Sequence, residues 1–208
     1  MYGPGFNPVM SLVKGAASKG RIPIPLAFSF PMLKRLRRLS TEILQKNPWW
    51  EYRRDEYLHP DDSRGEFFYA HTLGAVFVIP EMEKGRLFML QQFRYLNQRE
   101  SLEFVGGGMK DGQTPDEAAQ AELVEEAGFQ ASELIPIGWF NPMNGATDEV
   151  CYVFIARGLT AMNAHPEVSE EFELVTVTRN ELEAMIANGK IWDGMTLAAY
   201  ALYRNYSG

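Results

Sequence analysis

Hydrophobic and polar residues alternate in short runs along most of the chain, and these runs predict its secondary structure. Runs rich in β-branched and aromatic residues, separated by turn-forming polar segments, are typical of strands. Seven runs of this kind lie after Pro48. They are WWEYRRDEYL (49–58), EFFYAHTLGAVFVIP (66–80), RLFMLQQFRYL (86–96), SLEFV (101–105), ELIPIGWF (133–140), VCYVFIA (150–156) and FELVTV (172–177).

Three segments have the spacing of helices instead. RNELEAMIAN (179–188) and MTLAAYALYRN (195–205) repeat apolar residues at helical intervals, and Asp193 is placed to cap the second. A third helix begins after Thr114, with Glu117 completing a capping box, and ends at Gly128. Strands mixed with helices in this way predict an α/β fold in which a sheet is sandwiched between helices.

Length and composition favour a single catalytic unit. The 208 residues are 46% hydrophobic, enough for one full core. We assign residues 1–47 to an N-terminal arm and 48–208 to the domain. The net charge of −7 disfavours nucleic acid as a partner, because it provides no long basic surface for phosphates. Cys151, the single cysteine, is expected to be a buried strand residue, which fits a reducing cytoplasm.

The first forty residues raise a separate question. No apolar run is long enough to span a membrane, so we expect no stable membrane insertion. Residues 21–40 are apolar and then basic, which favours either contact with a membrane or partner or, as the more ordinary interpretation, packing of the arm on its own domain. His59, His71 and His165 have no metal-ligand spacing, and we interpret them as ordinary surface or turn residues.

The helix after Thr114 carries an unusual concentration of charge. Glu122, Glu125 and Glu126 stand at i, i+3 and i+4, so they share one face within a single turn; we call them the acidic face. Each carboxylate near a helix C-terminus costs about 0.3–1 kcal/mol when exposed. A solvated surface is one interpretation. The other is a binding site, favoured by the glycine-rich loop that precedes the helix (Gly106, Gly107, Gly108 and Gly112).

Three carboxylates without nearby cysteine or histidine are hard oxygen ligands. Such ligands suit Mg²⁺ or Mn²⁺ rather than zinc. Without a cation, two charges about 4 Å apart repel by roughly 4 kcal/mol at an effective dielectric of 20. The pattern therefore predicts a divalent cation at the acidic face.

The stretch GGGMKDGQTPDEAAQAELVEEAGF (106–129) resembles the signature of the Nudix hydrolases, G-x5-E-x7-R-E-U-x-E-E-x-G-U. Gly107 matches the opening glycine, and the acidic face matches the glutamates of the signature helix. Two positions depart from it: Gln113 stands for the first glutamate and Ala121 for the arginine that orients the metal-binding glutamates in the family. The resemblance implies a Nudix-type α/β/α sandwich with a mixed sheet.

Flanking segments resemble the ADP-ribose pyrophosphatase branch of this superfamily. The segments are QQFRYL (91–96), LEFVGG (102–107), GATDEV (145–150), EEFELVTVTRNEL (170–182) and GKIWD (189–193). The resemblance implies metal-dependent hydrolysis of ADP-ribose or a related nucleotide sugar. It also implies metal ligands at the acidic face and at the Gly106 carbonyl, with Glu125 assisting catalysis.

The remaining roles are also implied by the resemblance. Candidate substrate-binding residues are Arg94, Arg99, Glu103 and Glu149. Each arginine can instead form a surface ion pair. A general base is expected in the loop HPEVSEEFE (165–173), where Glu170 or Glu171 is preferred to Glu167.

The branch further implies a homodimer in which an aromatic residue stacks on the nucleobase across the interface. Trp49, Trp50 and Tyr52 are the candidates. Two alternatives to this function stay open. One is a ligand-binding or regulatory module with weak or no hydrolysis, which Gln113 and Ala121 favour. The other is a Nudix enzyme that acts on a different nucleotide.

Overall fold

The computed structural model describes residues 35–162 and 172–207, which form ten strands and three helices. The strands are β1 (Arg37–Lys46), β2 (Glu51–Leu58), β3 (Arg64–His71), β4 (Ala75–Pro80), β5 (Arg86–Arg94), β6 (Arg99–Glu103), β7 (Val105–Gly108), β8 (Phe129–Phe140), β9 (Cys151–Ala161) and β10 (Glu173–Thr178). The helices are α1 (Pro115–Ala127), α2 (Arg179–Ala187) and α3 (Gly194–Asn205).

A four-stranded mixed sheet forms the centre, in the order β7-β4-β9-β8. Strands β4 and β9 are parallel, and the other pairs are antiparallel. The central strand β4 is buried along its whole length, and its side chains alternate between two hydrophobic clusters. Val76 and Val78 pack with α1 on one side, whereas Phe77 and Ile79 pack with α3 on the other. The predicted α/β/α sandwich is therefore confirmed.

Two antiparallel three-stranded sheets flank this sandwich, with the orders β1-β2-β3 and β10-β5-β6. Strand β1 was not predicted, because its residues are all exposed and show no alternation between buried and exposed positions. It lies within the segment assigned to the arm. Hydrogen bonding to β2 along its length, and not burial of its own side chains, therefore stabilises β1 as a strand.

The prediction of a single strand over 66–80 is wrong. The chain breaks between β3 and β4, where Gly74 has a φ of 99°. A Cβ at this position would lie 2.9 Å from the Val150 carbonyl oxygen, so the turn requires glycine.

The prediction of one strand over 101–105 is also wrong, because β6 and β7 belong to different sheets. Phe104 lies between them. Its backbone N–H donates to the hydroxyl of Thr196, at 3.3 Å, instead of to a neighbouring strand. A side chain of α3 thus takes the place of a ladder hydrogen bond and allows the chain to change sheets.

The described residues contain no helix long and apolar enough to cross a membrane. Cys151 is fully buried in β9, as expected, and burial raises the pKa of its thiol to about 12.

Candidate active site

The acidic face lies in a cleft of about 960 Å³. Its walls are formed by the turn between β1 and β2, the end of β3 with the segment after it, the glycine strand β7 with the loop after it, helix α1 and the loop before β9. The residues that carry charge or large aromatic rings there are Lys46, Trp49, Trp50, Glu51, Arg53, His71, Lys110, Asp111, Glu122, Glu125, Glu126 and Glu149.

Local sequence signals account for the position of α1. The Thr114 hydroxyl accepts a hydrogen bond from the Glu117 backbone N–H at 3.3 Å, and the Glu117 carboxylate accepts one from the Thr114 N–H at 2.9 Å. Gly128 ends the helix with a φ of 67°. The predicted capping box and stop are confirmed, and they place the acidic face on the last turns of α1, toward the cleft.

Two glycines of β7 allow the strand to approach these carboxylates. A Cβ on Gly107 would lie 2.5 Å from the carboxyl carbon of Glu122, so this carboxylate occupies the space that a side chain would need. The Gly106 N–H donates to a carboxylate oxygen of Glu126 at 3.0 Å. Glycine is therefore required where β7 meets the acidic face.

The third carboxylate, Glu125, faces the loop before the helix. Its oxygen lies 3.8 Å from the Lys110 ammonium group. The Lys110 backbone N–H donates to the side-chain oxygen of Gln113 at 2.8 Å. Gln113, one of the two departures from the signature, therefore holds the loop that presents Lys110 to the acidic face.

Among the described residues, no three Asp, Glu, His or Cys side chains already converge into a group that could hold a metal ion. The donor set of the cleft nevertheless consists of hard oxygens, and its three glutamates lie within one turn of a helix. The residues therefore fit Mg²⁺ or Mn²⁺ by type, and rotation of their side chains is needed to bring the oxygens into one shell.

Glu149 enters the cleft from the loop before β9. It accepts a hydrogen bond from the Thr72 hydroxyl at 3.3 Å. Burial raises its pKa, the Thr72 hydroxyl lowers it by less, and the charge of Asp148 raises it further. A carboxyl group with a raised pKa in a cleft is a typical feature of functional sites.

His71 corrects another expectation, because it is not an ordinary surface or turn residue. It ends β3 and lines the cleft, and its Nδ1 lies 2.8 Å from an Asp148 carboxylate oxygen. No sequence spacing connects residues 71 and 148, so only the fold could have identified this pair.

The turn between β1 and β2 supplies aromatic and basic groups within the same chain. Both Trp49 and Trp50 donate their backbone N–H to the Asn47 side-chain oxygen, at 2.9 Å each. Trp49 remains 79% exposed. A large apolar ring held in an open cleft provides a surface on which a planar ligand can stack.

Beside these rings, Glu51 binds both Lys46 and Arg53, at 2.7 and 2.6 Å. The hydrogen bond from Lys46 and then that from Arg53 lower the pKa of Glu51 to about 2. Two cations and one anion leave a net positive charge in a cleft whose other wall is acidic.

Three predicted substrate-binding residues lie outside this cleft, on the β5–β6 hairpin. Arg94 donates two hydrogen bonds to Glu103, at 2.8 and 2.5 Å, and Glu103 is only 3% exposed. The guanidinium of Arg99 lies over the ring of Trp192. No sequence pattern pointed to Trp192. The expected general bases Glu170 and Glu171, with Glu167 and His165, lie outside the described residues.

The sequence and the fold resemble those of known proteins. The NUDIX domain model matches residues 71–199. The chain is 31% identical to the ADP-ribose pyrophosphatase of Bacillus subtilis (strain 168) over 131 residues, which cover 62% of this chain and 70% of that protein. It is 25% identical over 179 residues to the GDP-mannose pyrophosphatase of Yersinia pestis (strain Pestoides F), covering 80% and 90% of the two chains.

A solved structure agrees at the level of the fold. The crystal structure of an ADP compounds hydrolase superposes with a TM-score of 0.73 at 18% identity, covering 84% of this chain and 95% of the other. The chain belongs to the NUDIX domain family. It is a Nudix hydrolase, and the predicted resemblance is confirmed.

Proposed function

We propose that this Nudix hydrolase cleaves the diphosphate bond of ADP-ribose or a related nucleoside diphosphate sugar in the presence of Mg²⁺ or Mn²⁺. The observation that carries the proposal is the cleft itself, in which Glu122, Glu125 and Glu126 share a wall with a glycine strand. The relatives, which include an ADP-ribose pyrophosphatase and a GDP-mannose pyrophosphatase, support the substrate class.

The acidic face and the Gly106 carbonyl would hold the cation. What a bound divalent cation supplies is neutralisation of the phosphate charge that otherwise repels a nucleophile. Glu126 is anchored by the Gly106 N–H and Glu122 rests against Gly107, so the fold restricts where each carboxylate can move. Glu125 assists, with Lys110 at its side.

The other wall would bind the substrate. Lys46 and Arg53 offer positive charge to the anionic substrate, and Trp49 or Trp50 offers a stacking surface to the base. Glu149 can accept a hydrogen bond from a ribose hydroxyl. We assign the general base, which accepts a proton from the attacking water, to Glu170 or Glu171, as the sequence predicts.

A homodimer is part of the proposal. Large hydrophobic side chains are exposed on the three-stranded sheet β1-β2-β3, among them Ile43 at 52%, Phe67 at 45% and Phe68 at 46%. A sheet that exposes this much apolar surface is suited to contact with a second copy. Light scattering at micromolar concentration should give the mass of a dimer, and a monomeric mass contradicts the proposed homodimer.

We also assign the enzyme to the cytoplasm.

The activity is tested by incubating the protein with ADP-ribose and with GDP-mannose, each with Mg²⁺, with Mn²⁺ or with excess EDTA. We expect AMP and ribose 5-phosphate from ADP-ribose only when a divalent cation is present. Undiminished turnover in EDTA contradicts the metal requirement. Absence of turnover for both substrates contradicts the substrate class.

A further inference from the structure

Two arginines stand directly opposite each other at the turn end of the β5–β6 hairpin. Arg94 of β5 and Arg99 of β6 are register partners, so their side chains share one face of the two strands. Like charges in this position destabilise a sheet. Their placement therefore requires either neutralisation by neighbouring groups or a functional reason.

The two guanidinium groups have different neighbours. Arg94 is bound by the carboxylate of Glu103, which is almost fully buried. In the described part of the chain Arg99 forms no ion pair; its guanidinium carbon instead lies 3.8 Å from the centroid of the Trp192 ring. An aromatic face orients a guanidinium without neutralising its charge. The pair thus keeps one uncompensated positive charge.

Trp192 is itself held in place. Its indole N–H donates to the Glu100 carbonyl oxygen at 3.1 Å. The residue before it, Ile191, is 2% exposed, and the residue after it, Asp193, caps α3 by accepting the Thr196 N–H at 2.7 Å. The ring is therefore fixed to β6 and to the start of α3, and it is a rigid support for Arg99.

The same face of the hairpin contains a buried hydroxyl group. Ser101 lies two residues from both Arg99 and Glu103, so all three point to one side of β6. It is 2% exposed, and its Oγ has no hydrogen-bond partner among the described residues. Burial of such a group is unfavourable unless a ligand or water completes its bonding.

One residue of this face, Arg94, is affected electrostatically by α1. Hydrogen bonds to Glu103 raise the pKa of Arg94 most, and the carboxylates of Asp193 and Glu126 raise it further. Glu126 belongs to the acidic face. Arg94 therefore lies within electrostatic range of the proposed reaction centre, although it does not line the main cleft.

We propose that Trp192 is a positioning residue that holds Arg99 beside Arg94, so that the two guanidinium groups bind the diphosphate of the substrate. This inference rests on the proposed function, which supplies a diphosphate substrate. Ser101 is the hydroxyl that completes the same subsite. The part of the chain between α2 and α3 thereby determines substrate affinity without contacting the substrate.

The test is calorimetric titration with inorganic pyrophosphate in buffer containing EDTA, followed by steady-state kinetics with ADP-ribose and Mg²⁺. The variants are Trp192→Leu, Trp192→Phe, Arg99→Met and the double variant Trp192→Leu with Arg99→Met. Trp139→Leu is the matched control, because Trp139 is a half-exposed tryptophan of β8 outside this subsite. Thermal unfolding of each variant accompanies the titrations.

We expect Trp192→Leu to weaken pyrophosphate binding about tenfold, the size of a well-placed cation–π contact. Trp192→Phe keeps a ring beneath the guanidinium but loses the indole N–H, so about a threefold loss is expected. In kinetics KM should rise while kcat changes less than about twofold, because the arginines bind ground state and transition state alike. Trp139→Leu should leave the affinity unchanged.

The double variant separates positioning from a structural role. If Trp192 acts through Arg99, Trp192→Leu has little further effect in the Arg99→Met background. Equal losses in both backgrounds overturn the proposal, as does wild-type protein that does not bind pyrophosphate. If Trp192→Leu does not fold, the same comparison is made with Trp192→Phe.

The outcomes also separate this inference from the proposed function. Hydrolysis of ADP-ribose combined with pyrophosphate binding that is independent of Trp192 refutes the inference alone. Pyrophosphate binding that depends on Trp192 and Arg99, without any hydrolysis of nucleotide sugars, refutes the proposed function and supports the subsite.

Discussion

Glu81 and Glu149 lie at opposite ends of the parallel strand pair β4–β9, and the fold treats them in opposite ways. Burial alone would raise the pKa of Glu81, but hydrogen bonds from Arg157 and Tyr203, at 2.6 and 2.8 Å, outweigh it and lower the pKa. Burial raises the pKa of Glu149, whose carboxylate accepts a hydrogen bond from the neutral Thr72 hydroxyl.

The difference shows how to separate structural from functional carboxylates in this molecule. At the Glu81 end, charge is compensated by groups from β9 and α3, which connect the central sheet to a helix. In the cleft, the Glu149 carboxylate is kept partly desolvated, and no lysine or arginine within residues 35–162 and 172–207 forms an ion pair with it. An arrangement that costs stability without improving the packing is expected where a ligand completes the site.

The strongest test of the cleft is Glu126→Gln. The amide oxygen can still accept the Gly106 N–H, so the fold should be retained while the negative charge is lost. We expect the rate of ADP-ribose hydrolysis to fall at least about a hundredfold, with weaker Mn²⁺ binding by calorimetry. Glu133→Gln, on the exposed side of β8, is the control and should change neither. Unchanged Mn²⁺ affinity in Glu126→Gln would show that the acidic face is not the cation site.

At the Glu81 end we expect the reverse pattern, with loss of stability and no change in kcat. Arg157→Met removes the cation from the partly buried Glu81 and should lower the free energy of unfolding by about 1–2 kcal/mol. Arg64→Met is the control, because its pairing with Glu56 at 3.5 Å is exposed and worth less than about 0.5 kcal/mol. Chemical denaturation at pH 7 measures both.

The pH dependence of that loss has a defined sign. The folded pKa of Glu81 lies below its ordinary value of 4.5, so the stability it contributes is present above about pH 4.5 and is lost as the pH falls through the folded pKa. The difference in free energy of unfolding between wild type and Arg157→Met should therefore shrink on acidification below pH 4.5. A difference that stays constant down to pH 3 would mean that Arg157 stabilises by packing alone.

Glu149→Gln should raise the stability of the protein and lower its activity. The folded pKa of Glu149 is raised, so the wild type loses stability as the pH rises above 4.5 toward the folded pKa. The amide can keep the Thr72 hydrogen bond without carrying charge. We expect a gain of up to about 1 kcal/mol at pH 7 and none at pH 4, together with a rate about fivefold lower. Equal stability of the two proteins at pH 7 would contradict the cost assigned to this carboxylate.

The smallest effect is expected for Ala121→Arg, which restores the arginine of the family signature. Ala121 borders an open groove of about 640 Å³ on the outer side of α1, together with Glu117 and Glu125, which stand one turn before and after it. The groove has room for the side chain, and each acidic neighbour can pair with it. We expect kcat to rise about threefold with little change in KM, because Glu125 would be held more firmly.

Ala121→Met is the matched control, since it adds similar length without charge. An equal gain in Ala121→Met would assign the effect to packing in the groove. A folded Ala121→Arg variant with unchanged kcat would mean that another group already orients the glutamates.

The sequence by itself determined the features that depend on neighbours along the chain. The capping box at Thr114, the stop at Gly128 and the grouping of three glutamates on one turn follow from helix periodicity, and the structure confirms the helix and its caps. The α/β class followed from the alternation of strand and helix patterns in the same way. Strands β2, β5, β8 and β10 were predicted within about four residues of their bounds for the same local reason.

Only the tertiary structure decided which distant residues meet. Breaks at Gly74 and Phe104 depend on the Val150 carbonyl and the Thr196 hydroxyl, neither of which is near in sequence. The same holds for the carboxylate of Glu122 over Gly107 and for the ring of Trp192 beneath Arg99. Hydrophobic periodicity records which side of an element is buried but not which partner covers it, so these contacts required the packed fold.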